Sequence, residues 1–351
     1  MKVNLNEIRK RVEKGLISEK RHSTADLLIF NYTSACQFDN SWDHYTRMCR
    51  GLITDIEGNI VARPFPKFFN IGDEKNGCGL KNLPAEIPVV TAKWDGSLGI
   101  LYNNGKKNCI STRGSFESPQ AIWATEWLNS NKSDVNFLNG YTYLFEIIYP
   151  ENKIIVNYGD KEDLILLAVI NNETGAELSM DIIKTYGFTI PKIYNKNTNE
   201  LIEIAKTLDA NNEGFVARYL NGLRVKIKGD EYKRLHKLLT GVSAKLIWEM
   251  MRDGVSLEPA IKDVPDEFSD WVNNIRTELQ TEFYKLKNDI KRIIAEVKKL
   301  NNRKEQASLI LKYDKKLSGA CFSLLDGKSE RADYLIWKII KPVNNIFVCG
   351  K

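Results

Sequence analysis

The chain has 351 residues, 43% of them hydrophobic and 27% charged, with a formal net charge of +6. That length allows about two domains with separate cores, and the composition is that of an ordinary soluble protein. The longest apolar run, LILLAVI at 164–170, falls far short of the roughly 20 residues of a membrane helix. MKVNLNEIRKRVEKG has no apolar signal centre, so no membrane attachment is expected, and the cytoplasm (the host's, for a viral protein) is the expected location. Six cysteines without a CxxC pair and three dispersed histidines, His22, His44 and His236, argue against a zinc site, a disulfide framework and a paired-histidine phosphoesterase. Reduced thiols are expected, and any metal should be a hard ion on oxygen ligands.

In chain order, NEIRKRVEKGLI reads as an amphipathic helix. Short strand-like runs follow: LLIFNY, then RGLITDIEGNIVARPF with EGN as a hairpin turn, PVVTAK, and LGILYNNGKKNCIST with NNG as the turn. YTYLFEII, KIIVNY and DLILLAVI continue the pattern, and GFVARYLNGLRVKIK makes a hairpin about NG. From about residue 230 the period changes. EYKRLHKLL, AKLIWEMM, the segment from Asp270 to Leu300, ASLILKY and YLIWKII carry apolar residues at helical spacing. Within the long segment the stripe is Trp271, Ile275, Leu279, Phe283, Leu286, Ile290, Ile294, Val297 and Leu300. The pattern predicts a β-rich α+β domain over 1–238 and an all-helical domain over 239–351.

Charge is concentrated in the second part. TEFYKLKNDIKRIIAEVKKLNNRK (281–304) holds eight Lys/Arg against three Asp/Glu, a local excess of +5. Such a surface attracts polyanions, although a helix can also carry this charge simply to face water.

One short stretch asks for a chemical explanation. KWDGS (93–97) follows the strand-like PVVTA and sets an amine beside a carboxylate and a glycine. Arg113 in STRGS comes 20 residues after Lys93, Glu146 in LFEIIYPENKIIVNYG comes 53 after, Glu213 in EGFVAR comes 120 after, and RVKIK then supplies Lys226 and Lys228. Strand alternation in VKIK points both lysines to one face, where they can share one polyphosphate. Each residue alone has an ordinary reading, as a surface ion pair, a turn residue or an edge strand. The ordered set is far more specific than its members.

Together these residues resemble the covalent nucleotidyltransferase superfamily of ATP-dependent ligases and capping enzymes. Within it, RGLITD around Arg50, PKFFN around Lys67, KWDGS, TRGS, FEIIYPENKIIVNYG, EGFVA and VKIKGDEYKRLH resemble the phage-type RNA ligases that seal single-stranded breaks in tRNA. The resemblance covers residues 45–236. It implies an adenylyltransferase domain of antiparallel sheets with flanking helices. It also implies a three-step reaction: Lys93 takes AMP from ATP, AMP passes to an RNA 5′-phosphate, and a 3′-hydroxyl displaces it.

By the same resemblance Arg50, Lys67, Lys226 and Lys228 contact the triphosphate and Arg113 the ribose side of the nucleotide. Glu146 and Glu213 serve Mg²⁺ or Mn²⁺, their division of roles open. An unpaired carboxylate in the apolar LFEII is itself expensive, so Glu146 calls for a hydroxyl partner or a metal. Gly96 is read as admitting a phosphate to the backbone, and Asp95, Tyr232 and His236 are further candidates. Because lysine at its reference pKa of about 10.4 is a poor nucleophile at neutral pH, burial, Lys226, Lys228 and a metal are expected to lower the Lys93 value.

The expected partners are single-stranded RNA or broken tRNA and a separate end-healing kinase and phosphatase. GILYNNGKK misses the spacing of a phosphate-binding loop, since five residues separate Gly99 from Gly105. Two alternatives stay open: a DNA ligase with an unusual helical tail, and an inactive nucleotide- or RNA-binding protein on a ligase scaffold. The helical tail, where DNA ligases and capping enzymes carry an OB barrel, favours the RNA branch.

Overall fold

The computed structural model describes residues 1–257 and 266–343; for 237–240, 266, 267, 269 and 270 it describes the backbone only. The chain divides into two compact units, Met1–Lys233 and the part from Arg234 on. The division falls within the helix Asp230–Gly241.

The first unit holds three sheets. β1 (Ile17–Arg21), β2 (Leu27–Tyr32), β3 (Arg50–Asp55) and β4 (Ile60–Ala62) form an antiparallel meander. The strands β5 (Phe69–Asn70), β6 (Val89–Lys93), β11 (Ile193–Tyr194), β12 (Gly214–Arg218) and β13 (Arg224–Lys228) form the second, in the order β11-β6-β12-β13-β5, antiparallel except at β13–β5. The third has the order β10-β9-β7-β8, from β7 (Ser97–Asn103), β8 (Asn108–Ser111), β9 (Tyr141–Ile148) and β10 (Asp163–Asn171).

β9 and β10 are buried along nearly their whole length, which is why YTYLFEII and DLILLAVI lack polar alternation. Ile100, Leu144, Ala168 and Ile170 pack on one side with Ile29 and Ile53 of the meander. Tyr143, Phe145, Leu164 and Leu166 pack on the other, with Ala124 and Leu128 of the helix Pro119–Asn131. β13 instead alternates, Val225 and Ile227 buried and Arg224, Lys226 and Lys228 half-buried.

The expected hairpins at EGN, NNG and NG are present. KIIVNY is not a strand. Residues 153–158 run as an irregular segment whose Ile155 and Val156 amides donate to Asp95 at 2.9 and 3.0 Å. Several elements have no counterpart in the sequence pattern, among them β1 and the helices Pro119–Asn131, Thr198–Thr207 and Lys315–Leu325.

The described part of the second unit is helical: Ala244–Arg252, Asp266–Val297, Arg303–Lys312, Lys315–Leu325 and Ser329–Ile339. In the long helix Leu279, Phe283, Ile290, Ile294 and Val297 are buried as the stripe requires, while Trp271, Ile275 and Leu286 are half-buried. The Phe283 ring stacks on Trp337 with centroids 4.8 Å apart, and Trp248 Nε1 donates to the Trp337 carbonyl at 2.8 Å. Among the described residues no helix is long and apolar enough to cross a membrane.

Candidate active site

Strand register assembles the centre of the site. Gly214 at the start of β12 pairs with Lys93 on one side and Lys228 on the other, so Glu213, one residue earlier, is flanked by both lysine side chains. Its oxygens accept from Lys93 Nζ at 2.7 Å and from Lys228 Nζ at 3.0 Å. Glu213 is 2% exposed, so water does little to weaken these pairs. Burial favours the protonated acid, but the two ammonium groups prevail and the Glu213 carboxyl lies below its ordinary value.

Lys93 departs from the expectation that its pKa is lowered. Burial works in that direction, but Glu213 and then Glu146 outweigh it, and the ammonium is held above its ordinary value. The amine is clamped by a carboxylate instead of being activated by its cationic neighbours. Lys226 is the lysine that behaves as expected. Burial first, then Arg50 and Lys93, push it down to about 6.

Asp95, Gly96 and Tyr232 have structural contacts that the sequence reading missed. Asp95 Oδ2 accepts the two amides of the 153–158 segment, and its Oδ1 accepts the Tyr232 hydroxyl at 2.7 Å. Burial and then Glu213 raise the Asp95 carboxyl, while burial and Glu213 also push the Tyr232 phenol up. At Gly96 a Cβ would sit 2.5 Å from the Ile147 carbonyl oxygen. The glycine is therefore needed where the chain crosses β9, whether or not a phosphate approaches.

Gly96 also donates its amide to Glu146 Oε1 at 3.0 Å. Burial pushes the Glu146 carboxyl up to about 7, against the opposing pull of Lys93. The hydroxyl partner expected for Glu146 is not found, its hydrogen bond being this backbone amide.

Arg50, Lys67 and Arg113 converge on a residue that carried no motif, Tyr32 at the end of β2. Arg113 Nη1 donates to the Tyr32 hydroxyl at 2.6 Å and Lys67 Nζ at 3.3 Å. Burial would raise this phenol, but Arg113, Lys67 and Arg50 together bring it below its ordinary value. Arg50 is lowered to about 10 by burial, and its Nη1 is buried without a hydrogen-bond partner. Lys226, opposite Asn70 across β13–β5, lies with its Nζ 4.7 Å from the Phe68 ring centroid. None of Arg50, Lys67, Arg113 and Lys226 forms an ion pair among the described residues. Three cations and the Lys226 amine, gathered without an ion pair among the described residues, make a receptor for a strongly anionic group.

His236 is half-buried on the helix Asp230–Gly241 and belongs to the second unit. Among the described residues no three His, Cys, Asp or Glu side chains gather as a metal cluster. The donor set near Lys93 is two carboxylates, Glu146 and Glu213. That set fits a hard divalent ion which takes its other ligands from phosphate and water, as Mg²⁺ does in nucleotide sites.

A half-buried lysine at a strand end, a carboxylate that clamps it and a cluster of cations without ion pairs among the described residues, on a unit of antiparallel sheets, are the features of a nucleotidyltransferase. The RNA ligase family model matches residues 48–232, so the chain belongs to the RNA ligase family. It is 32% identical to a candidate RNA ligase of the bacterium Thermovibrio ammonificans, over 55% of this chain and 54% of that one. It is 29% identical to a candidate bifunctional polynucleotide kinase/RNA ligase of Autographa californica nuclear polyhedrosis virus, over 64% of this chain and 35% of the other. An RNA ligase of Rhodothermus phage RM378 is 24% identical over 91% of this chain and 89% of its own. The chain thus spans about half of the bacterial relative and about a third of the baculovirus one. Among solved structures, an archaeal ATP-dependent RNA ligase superposes with a TM-score of 0.47 at 14% identity, covering 84% of this chain and 80% of that one.

Proposed function

We propose that the protein is an ATP-dependent RNA ligase that joins a 3′-hydroxyl to a 5′-phosphate through a lysyl-AMP at Lys93. The observation that carries this reading is the half-buried amine of Lys93, held 2.7 Å from Glu213 beside Arg50, Lys67, Arg113 and Lys226, which form no ion pair among the described residues. Once a proton has left the amine for water, Nζ attacks the α-phosphorus of ATP. A P–N bond forms, the bond to the β-phosphate oxygen breaks, and pyrophosphate departs with its charge met by Arg50, Lys67, Lys226 and Lys228. Fixed cations aimed at a leaving group are a large source of rate in phosphoryl transfer. An oxygen of the RNA 5′-phosphate then attacks the same phosphorus, the P–N bond to Lys93 breaks, and the amine recovers its proton. In the last step the 3′-hydroxyl oxygen attacks the 5′-phosphorus, AMP leaves, and the hydroxyl proton is released.

Arg113 serves the ribose side, near the Tyr32 hydroxyl. A divalent ion held by Glu146 and Glu213 would neutralise phosphate charge, with Mg²⁺ or Mn²⁺ suiting these oxygens. Glu213 has a second task, since its carboxylate fixes the Lys93 amine at the strand end. We further propose broken tRNA as the natural substrate, the reducing cytoplasm as the setting and a partner kinase and phosphatase as the source of ligatable ends. The free, buried Cys36, Cys49, Cys78, Cys109 and Cys321 support that setting.

The test is intact mass after incubation with ATP and Mg²⁺ or Mn²⁺. The wild-type chain should gain one AMP and Lys93→Ala none. Lys93→Arg should be equally inert, because guanidinium stays protonated. Sealing of a nicked tRNA, compared with a 5′-phosphorylated DNA of the same sequence, separates RNA from DNA ligase activity. An adduct on Lys93→Ala would move the nucleophile elsewhere, and no adduct on the wild type would leave only a binding protein.

A further inference from the structure

Beside the cation cluster lies an open cavity of about 130 Å³, lined in part by Arg47, Lys67, Asn76, Gly222, Leu223 and Arg224. Arg47 belongs to the short helix His44–Met48, and none of the sequence motifs includes it. Its carbonyl accepts the Lys67 amide at 2.7 Å, which ties the two cationic residues together through the backbone. Its guanidinium lies 5.2 Å from the Phe69 ring centroid. The hydrogen bond it makes is a long one of 3.4 Å to Asn76 Oδ1, so most of its five donors are uncommitted.

The charges around this cavity are unequally matched. Arg224 is neutralised by Glu177, with Nη2 at 2.7 Å from Oε2 and 2.8 Å from Oε1. Lys67 donates to the Tyr32 hydroxyl and Gln37 Oε1, at 3.3 and 3.1 Å, and lies against the Tyr32, Trp42 and Phe69 rings. Among the described residues neither Arg47 nor Lys67 forms an ion pair. Two cations thus face one cavity with no acid assigned to them, and a guanidinium fork suits phosphate in particular.

The cavity is also connected to the chemistry. Arg224, Lys226 and Lys228 share the less buried face of β13, about 7 Å from one to the next. Lys228 stands at the Glu213–Lys93 end of that row, and Arg224 stands at the cavity. A phosphate chain whose α-phosphorus was at Lys93 would extend along this row past Lys226, from the side opposite to the one on which Arg224 meets the cavity.

We propose that Arg47 is a binding residue for the distal phosphates of ATP, and that the cavity receives the pyrophosphate released when Lys93 takes AMP. This rests on the ligase reading above, so the decisive measurement is one that needs no turnover. Inorganic pyrophosphate with Mg²⁺ is titrated calorimetrically into the full chain, Arg47→Ala and Arg47→Lys. Arg47→Ala should weaken binding by about tenfold or more, the worth of a charge-assisted hydrogen bond. Arg47→Lys should fall between, since it keeps the charge but loses the fork.

In turnover the same variant should raise the KM for ATP and slow the reverse reaction. There a pyrophosphate oxygen attacks the Lys93-bound phosphorus, the P–N bond breaks, and ATP forms as the amine regains a proton. Sealing of pre-adenylylated RNA, which involves no pyrophosphate, should be unchanged. Unaltered pyrophosphate affinity would overturn the assignment. So would an equal loss in sealing together with a lowered melting temperature, the sign of a packing role. If the wild-type chain binds pyrophosphate through Arg47 yet never forms the AMP adduct, the ligase reading fails while the anion site stands.

Discussion

At Lys93 the local electrostatics run opposite to what a row of nearby cations suggests. Lys226 and Lys228 do sit close, but Glu213 lies between Lys93 and Lys228 and holds both, so the nucleophile rests as an ammonium. Lys226 has no such carboxylate partner among the described residues, and its pKa of about 6 leaves it a neutral amine at pH 7.5. A polyphosphate brought beside it favours the ammonium and raises that value again. Pyrophosphate binding at pH 7.5 should therefore take up to about one proton from buffer at this residue. The measurement is the binding enthalpy in buffers of different ionisation enthalpy, and Lys226→Met should abolish that share of the dependence. An identical dependence in Lys226→Met would place the proton elsewhere.

Glu146 offers a second residue-scale prediction. Its carboxyl has a folded pKa of about 7 against an ordinary 4.5, with burial as the main cause. Below 4.5 both folded and unfolded chains hold the proton. Between the two values only the folded chain does, so this group lowers stability as pH rises through that window, and above about 7 the loss is complete. Glu146→Gln should remove that slope, a change on the order of 3 kcal/mol across the window at most. Denaturant unfolding of both proteins at pH 4 and pH 8 checks it, and parallel pH profiles would refute it.

At this scale Lys93, Glu213, Lys226 and Lys228 were legible because a glycine or a strict alternation accompanies each. Tyr32 and Arg47 were not. Tyr32 ends the apolar run LLIFNY, and Arg47 lies on a short helix, so neither is marked by its neighbours in sequence.

Among the elements, β13 was read correctly because one face is buried and the other is not. KIIVNY misled because its run of β-branched residues has strand propensity but its backbone hydrogen bonds go elsewhere. The Ile155 and Val156 amides are taken by Asp95, and the Asp95 amide donates to the Tyr158 hydroxyl at 2.9 Å. Such a run forms a strand only where a neighbouring strand offers its ladder. Here a carboxylate from the β6–β7 connection supplies the acceptors instead. The helix Pro119–Asn131 was missed because its buried residues are Ala121, Ala124 and Leu128, two of them alanines that leave little hydrophobic contrast.

This accounting makes Asp95 the anchor of residues 153–158, and its removal should be costly. Asp95→Ala leaves two amides and the Tyr232 hydroxyl without their buried acceptor, each worth about 1–3 kcal/mol. Denaturant unfolding should show a loss of about 3 kcal/mol or more. Hydrogen exchange at the Ile155 and Val156 amides should rise before global unfolding does. Protection at those amides equal to that of wild type would show that the segment is held by other interactions.

Over the whole molecule, the change from strand to helical periodicity near residue 230 was readable because it involves many residues, and single misjudged elements do not erase it. The charge on the long helix was less legible, since sequence gives a count without partners. Lys287 belongs to that count, but its Nζ lies 2.7 Å from Asp333 Oδ2 of the helix Ser329–Ile339, so it fastens one helix to another. Arg292 pairs with Asp289 on the same helix. Lys285, Lys291, Lys298 and Lys299 remain exposed, while Phe283, Ile290, Ile294 and Val297 are buried.

If RNA phosphates meet these four lysines, replacing Lys285, Lys291 and Lys298 with glutamine should weaken RNA binding and flatten its salt dependence. The slope of log K against log salt should fall by about 0.7 for each phosphate that is no longer neutralised. Lys287→Gln should instead lower the melting temperature and leave the slope alone. A chain ending at Leu239 should still acquire AMP on Lys93, because Lys93, Glu146, Glu213, Lys226 and Lys228 all precede Arg234, but should lose any preference for a nicked tRNA over a plain single strand. An unchanged salt slope in the triple variant would reduce the face to ordinary solvated charge. A folded but adduct-free truncated chain would make the helical unit part of the catalytic machinery.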